Sequence, residues 1–422
     1  MKIWGLLTGA LLALPTAALA QTSEITAQAA LAEAPVWDGH NDVPEQLRDR
    51  RNDMLAGFDF TDTTQTAEPA TADHPARVAM MTDLTRLHKG HIGAQFWSVF
   101  VSADQPEPQA VQATLEQIDV MKRLIARYPD QLQYCTDSAC VEAAWKAHRI
   151  ASLLGMEGGH SIGGSLGVLR QMYALGARYM TLTHFKNTAW GDSATDAPAH
   201  HGLTPFGEDV VREMQRIGML VDLSHVAEST MLDALAVARA PVMFSHSSAR
   251  AVDDHPRNAS DLVLDKLKAN GGIIMVNTLP AYVSEVVRHW SADEAAEKAR
   301  ANSLHTGDPD GAKAELAAWE AVNPKPHATL TQVADHIDHI VKQIGVDHVG
   351  VGGDFDGIED TTQGMEDVST YPALFTELAR RGYSKADLEK IASGNMLRVL
   401  KAAEVYAAAH RTDPPIEYPT RF

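Results

Sequence analysis

The sequence predicts an α/β fold of the (β/α)8 TIM-barrel type, and three observations predict it. Apolar segments rich in Val, Ile, Leu and Met recur near residues 36, 94, 151, 179, 219, 242, 273 and 349, eight in all. Between most of them the apolar residues take helical spacing, and alternation of strand and helix calls for parallel pairing. Six of the segments, 37–42, 153–157, 179–184, 220–225, 242–246 and 349–354, end on Asp42, Glu157, His184, His225, His246 and Asp354, all able to bind a metal or a proton. A parallel barrel gathers its C-terminal strand ends on one rim, so these scattered residues are expected to converge.

Taken in order, residues 1–20 carry a positive start at Lys2, an apolar run and small residues at Ala18 and Ala20. They read as a secretory signal peptide cleaved before Gln21, which implies export, with the periplasm as the expected address. The remainder, 21–422, is expected to be a single barrel domain, with 21–34 a loosely held arm. Helices are expected around Leu115, Ile118, Met121, Leu124 and Ile125, around Val210, Val211, Met214 and Ile217, and around Val333, Ile337, Ile340, Val341 and Ile344. Gly176, Gly218 and Gly345 are the C-terminal stops. The charged, alanine-rich stretch 284–326 interrupts the rhythm between the seventh and eighth strands, with a capping-box start at Ser291 and Glu294. It reads as a helical insertion, either a lid or partner surface or a solvated excursion.

Charge and cysteine content exclude several classes. The formal net charge is −19, or −20 once Lys2 leaves with the signal, and no block of Lys or Arg stands against it. Nucleic acid and anionic membrane are therefore not expected partners. No segment after the signal is apolar for long enough to suggest stable membrane insertion. Cys135 and Cys140 are the only cysteines. A local disulfide and two free thiols both remain open, whereas a zinc-thiolate site needs more cysteines or paired histidines.

His40 and Asp42, two apart on a strand, face the same way and can hold one metal. His225 and His246 end consecutive strands and can close on a second. Glu157, followed by Gly158 and Gly159 that permit close approach, can lend one oxygen to each ion. Two dications held with Asp42, Glu157 and a bridging water or hydroxide retain positive charge able to polarise a carbonyl. Other histidines have blander readings: His336 and His339 on an amphipathic helix are expected to face solvent, and His160, His200, His201 and His255 to be structural or exposed. A competing motif, Gly159-His160-Ser161-Ile162-Gly163, matches a nucleophile elbow. It lacks the acid and histidine in the required order and leaves His40, Asp42, His225 and His246 without a role.

Several blocks in order, Asp38-Gly39-His40-Asn41-Asp42, Gln95-Phe96-Trp97-Ser98-Val99, Glu157-Gly158-Gly159-His160-Ser161, Leu182-Thr183-His184, Ser245-His246-Ser247-Ser248 and Gly352-Gly353-Asp354-Phe355-Asp356-Gly357, run through nearly the whole chain. In these blocks the chain resembles the membrane (renal) dipeptidases, dinuclear zinc dipeptidases of the amidohydrolase-like class. The resemblance implies two zinc ions, one on His40 and Asp42 and the other on His225 and His246, bridged by Glu157 and a water or hydroxide. It further implies that His184 contacts the substrate and supports the oxyanion. Arg257 would bind the free carboxylate of a dipeptide, and Asp354 would contact the substrate and shuttle the proton, with Asp356 a nearby rival. It also implies tolerance of a D-residue at the C-terminal position, action on β-lactams and a homodimer. A lipid anchor and an intersubunit disulfide are not carried over, because the chain lacks the anchor signal and the extra cysteines. Within the enzymes, a D-aminoacylase or lactonase is the alternative; outside them, a metal-dependent peptide-binding protein.

Overall fold

In a computed structural model that describes residues 16–71 and 75–417, eight parallel strands close into a barrel. The strands are β1 (Val36–Asn41), β2 (Ile92–Phe100), β3 (Leu132–Tyr134), β4 (Ile150–Glu157), β5 (Ala177–Thr181), β6 (Leu220–Asp222), β7 (Met243–Phe244), β8 (Ile273–Val276) and β9 (Val349–Val351). Around the barrel the order is β1, β2, β4, β5, β6, β7, β8, β9, with β9 pairing back to β1 and β2 pairing directly with β4. The ninth strand, β3, is an addition at the base. It pairs with Ile150 to Ser152 on the edge of β4 that β5 takes over from Leu154 onward. Three residues carry too little pattern for the sequence to announce it.

Alternation of side chains across each strand builds the core. Trp37, Phe96, Leu153, Tyr179, Leu220, Met243, Ile273 and Met275 form one buried cluster inside the barrel, joined by Met396, Val399 and Leu400 of the helix Asn395–Ala409. Their neighbours in sequence, such as Val36, Leu154, Met180, Val221, Phe244, Ile274 and Val349, belong to the outer cluster that meets the surrounding helices. Two faces buried by period two are what a barrel strand requires.

The expected helices form as Glu107–Arg127, Pro205–Ile217 and Leu330–Ile344. Gly176 and Gly218 end their helices in the left-handed conformation, at φ of 117° and 88°. Between β8 and β9 the chain forms two antiparallel helices, Glu285–Leu304 and Pro309–Val322, pinned by Trp290 against Trp319.

Three expectations need correction, and the open question of the cysteines is settled. Ser291 does not start a helix: the helix begins at Glu285, so Ser291 lies inside it. The arm at 21–34 is not loosely held. It belongs to the helix Thr16–Glu33, which buries Ala27, Ala30 and Leu31 against the helix Tyr371–Arg380. The signal-peptide assignment falls largely on 1–15, outside the described residues. His336 does not face solvent: it is fully buried, accepting from Ala249 N–H at Nδ1 and donating from Nε2 to Val283 O, both at 3.1 Å. Its position shares the stripe of Val333, Ile337 and Ile340. Cys135 and Cys140 form a disulfide.

Candidate metal and substrate site

The strands are shorter than the apolar runs suggested, so most of the candidate side chains sit in the first turn beyond the strand end. Asp42 caps the helix Val43–Arg51, His184 and His225 lie three residues past β5 and β6, and Asp354 lies three past β9. His225 and Asp354 adopt positive φ, 67° and 61°. Such backbone is uncommon for residues other than glycine, and it turns both side chains back over the barrel mouth.

Glu157 is the centre of the group. Its Oε2 lies 3.3 Å from His40 Nε2 and accepts from Ser98 Oγ at 3.1 Å. Its Oε1 faces the other side, 2.9 Å from His225 Nε2, 3.5 Å from His246 Nε2 and 3.6 Å from His184 Nε2. Asp42 Oδ2 lies 3.3 Å from His40 Nε2, and Asp354 Oδ1 3.9 Å from it. The structure thus brings Asp42, Glu157, His40, His184, His225, His246 and Asp354 together, in overlapping groups whose ligand atoms lie within 4.8 Å of one another.

The donor set fits a metal. Among the described residues, His40 Nε2 and both oxygens of Asp42 are buried without a hydrogen-bond partner. Orphaned buried groups of this kind are costly unless a cation satisfies them. His225 Nε2 and His246 Nε2 approach to 2.8 Å, both nitrogens turned to one point. Burial disfavours a charged His40, yet Tyr179, Glu157 and Asp42 outweigh it and push the imidazole well above its usual range. Burial acts to raise Glu157, but His40, His184 and His225 hold it well below the carboxylate range. Burial pushes His225 and His246 well down, so both present neutral imidazoles. The neutral nitrogens of His225 and His246 and the ionised oxygens of Glu157 suit zinc or a similar borderline cation, and His40 joins them by giving up its proton when a cation binds.

Around this centre a cavity of about 270 Å³ opens, walled by Phe100, Phe185, Leu279, Tyr282 and Ile358, with Glu45 at its side. Its wall draws on Leu279 and Tyr282 just before the helical hairpin and not on the hairpin itself. Arg257 lies only 1 % exposed, 5.2 Å from the Tyr282 ring centre. It donates weakly to Ser247 Oγ at 3.3 Å and His246 O at 3.4 Å, while its Nε has no partner among the described residues. Asp354 accepts from Asn277 Nδ2 at 3.1 Å. Burial pushes it up to about 7, with His40 opposing and Asp42 and Glu157 adding. Asp356 is engaged elsewhere, accepting from Met81 N–H at 2.7 Å. Among the described residues Ser161 Oγ is buried without a hydrogen-bond partner, so none of them serves the elbow motif as a base.

Sequence reasoning missed the residues that hold these groups: Ser98 on Glu157, Tyr179 whose hydroxyl lies 2.8 Å from His40 Nδ1, and Asp222 and Ser245 behind His246. A charged residue inside the apolar segment at 220–225 was the one available signal.

Comparison with known proteins gives the family and supports the fold. The sequence model of the family described as membrane dipeptidase, peptidase family M19, matches residues 25–414. Dipeptidase tcpJ of Claviceps purpurea is 40 % identical over 388 residues, covering 90 % of this chain and 79 % of the relative. The crystal structure of the probable dipeptidase PvdM from Pseudomonas aeruginosa superposes with a TM-score of 0.75 at 24 % identity, covering 93 % of this chain and all of that one. A metallopeptidase from Rhodobacter sphaeroides, liganded with a phosphinate mimic of the dipeptide L-Ala-D-Ala, gives 0.69 at 22 % identity, covering 88 % and 99 %. These two likenesses speak to the fold. Among the described residues no helix is long and apolar enough to cross a membrane. With the family match spanning almost the whole barrel, the chain belongs to the membrane dipeptidase family, peptidase family M19, and is a metal-dependent dipeptidase.

Proposed function

We propose that this protein is an exported dinuclear zinc dipeptidase, acting on dipeptides with a free C-terminal carboxylate. It tolerates a D-residue at the C-terminal position and also opens β-lactam amides. The observation that carries the dinuclear reading is the division of Glu157: Oε2 faces His40 while Oε1 faces His225 and His246. A carboxylate that turns one oxygen to His40 and the other to His225 and His246 is placed to bridge two ions. In this reading His40 and Asp42 hold one ion and His225 and His246 the other.

Zinc at these positions supplies a Lewis acid for the scissile carbonyl and lowers the pKa of water bound there. The chain's own residues do the rest. Arg257 offers its unpartnered Nε and the adjoining nitrogen to the substrate carboxylate, fixing the dipeptide's C-terminal end. His184 Nε2 donates a hydrogen bond to the oxygen that gains charge at the carbonyl. Asp354 Oδ1, close to His40 on the floor of the cavity, takes the proton of the attacking water and returns it to the departing amine nitrogen. Phe100, Phe185 and Tyr282 give the cavity an apolar wall.

Export rests on Lys2 and the apolar run after it. Tolerance of a D-residue draws on the Rhodobacter sphaeroides metallopeptidase, whose bound ligand mimics L-Ala-D-Ala. Action on β-lactams and a homodimer rest on the family resemblance alone. The test is hydrolysis of L-Ala-L-Ala, L-Ala-D-Ala and an N-acetylated control, with zinc content measured and activity followed through chelation and zinc restoration. Turnover of the free dipeptides with about two zinc ions per chain, lost to chelator and regained with zinc, is expected. Turnover of the acylated control alone moves the protein to the aminoacylases, and activity indifferent to chelation overturns the reading.

A further inference from the structure

Beneath the rim of metal-ligand residues, the inward face of the barrel changes from apolar to polar within one step. On β5 the inward series runs Tyr179 then Thr181, on β6 Leu220 then Asp222, and from β7 Met243 then Ser245. Asp222 is fully buried, and four donors converge on its carboxylate. Oδ1 accepts from Ser224 N–H at 3.1 Å and Ser245 N–H at 2.8 Å. Oδ2 accepts from Thr181 Oγ1 at 2.5 Å and Ser245 Oγ at 2.6 Å.

A carboxylate only accepts, so the Ser245 hydroxyl hydrogen points at Asp222. The competing contact to Ser224 Oγ is much longer, 3.4 Å. Ser245 Oγ is then an acceptor toward His246 Nδ1, 2.8 Å away. His246 therefore carries its hydrogen on Nδ1 and turns a bare Nε2 into the site. His225, its companion, has no partner on Nδ1 among the described residues, so nothing comparable holds that ring.

We propose that Asp222 and Ser245 are positioning residues for His246: through the chain Asp222 to Ser245 to His246 they select the ligating tautomer and hold the ring, and so set the affinity of the metal position His246 shares with His225 and Glu157. The inference rests on the metal site proposed above. Groups that orient a ligating histidine in this way are typically worth about 10–100-fold in metal affinity.

The test uses the full chain, with zinc counted after equilibrium dialysis against graded chelator for wild type, Ser245→Ala, Ser245→Thr and Asp222→Asn. Threonine keeps the hydroxyl; alanine removes it; asparagine replaces one acceptor oxygen by a donor facing Ser245. Ser245→Ala and Asp222→Asn are expected to release one zinc ion at about 10–100-fold higher free zinc than wild type, with the second ion unmoved and Ser245→Thr close to wild type. Thermal unfolding of the zinc-stripped proteins separates this from a folding defect: Ser245→Ala is expected to melt somewhat below wild type there, and dialysis is run at a temperature where every stripped protein is folded. Unchanged zinc release in Ser245→Ala overturns the proposal, as does an equal loss in Ser245→Thr. Zinc release scores the relay without any peptide turnover. A protein that binds zinc through an intact relay and cleaves no dipeptide thus refutes the proposed activity alone.

Discussion

Arg257→Ala is the most direct test of how the site reads its substrate. The guanidinium is buried at 1 % exposure against the Tyr282 ring, yet its hydrogen bonds to Ser247 and His246 are long, 3.3 and 3.4 Å, and among the described residues its Nε has none. A buried, under-used fork of this kind is arranged for an anion, and a carboxylate matches it with two charge-assisted hydrogen bonds. Removing one partner of such a desolvated pair costs about 3 kcal/mol, roughly two orders of magnitude in kcat/KM. The loss falls on carboxylate substrates only. The assay compares kcat/KM for L-Ala-D-Ala and its C-terminal amide in wild type, Arg257→Ala and Arg257→Lys. Wild type is expected to prefer the acid, Arg257→Ala to treat acid and amide alike, and Arg257→Lys to fall between, because lysine keeps the charge and loses the fork. Zinc content is measured alongside, since Arg257 also touches His246 O. A variant that keeps its zinc and still prefers the free acid refutes the role of Arg257. Equal wild-type activity on substrates with and without the carboxylate directs attention to a lactonase or aminoacylase.

Three other perturbations have defined outcomes. A Cβ at Gly352 would lie 1.9 Å from Ser245 O, a backbone atom that cannot swing aside, so Gly352→Ala is expected to destabilise the fold by about 3 kcal/mol or more and to loosen zinc; wild-type urea unfolding would show that β7 and β9 are not packed this closely. Cys140→Ser opens the Cys135–Cys140 link, whose five-residue separation corresponds to about 2 kcal/mol of chain entropy, and is expected to lower stability by that amount while leaving kcat/KM unchanged; the comparison with reduced wild type checks it. Burial lowers His336 to about 4, well below the 6.5 of an exposed imidazole. Below pH 6.5 the unfolded chain binds a proton that the folded chain refuses, so this stability is present above 6.5 and falls, by about 1.4 kcal/mol per pH unit, as pH drops toward 4. His336→Gln is expected to flatten the fall between those values in urea titrations, and an unaltered slope contradicts the buried neutral imidazole.

Much of this protein was legible along the chain because barrels have a simple grammar. The eight barrel strands, the helix stops at Gly176 and Gly218 and the helical character of the stretch before β9 all follow from local periodicity and glycine chemistry. The misreadings share one cause, the attempt to settle a tertiary contact from local signals. Ser291 and Glu294 have capping-box spacing, but good helix formers upstream carry the helix back to Glu285. The stretch at 21–34 shows little amphipathic pattern by itself, and it is the helix Tyr371–Arg380 that gives Ala27, Ala30 and Leu31 something to bury against. His336, expected on the solvent face of its amphipathic helix, shares the buried stripe of Val333 and Ile340.

By itself the sequence determined the fold class and the set of chemically able residues, because strand ends in a parallel barrel must meet and because family blocks persist along the chain. Only the tertiary structure decided how those residues are held. That Glu157 divides its oxygens between two groups of histidines, that Arg257 is buried with an unused nitrogen, and that Asp222 reaches His246 through Ser245 are facts about distances across three or more strands. Hydrogen bonds depend on separations of a few tenths of an ångström, and linear spacing carries no such information until the barrel has closed.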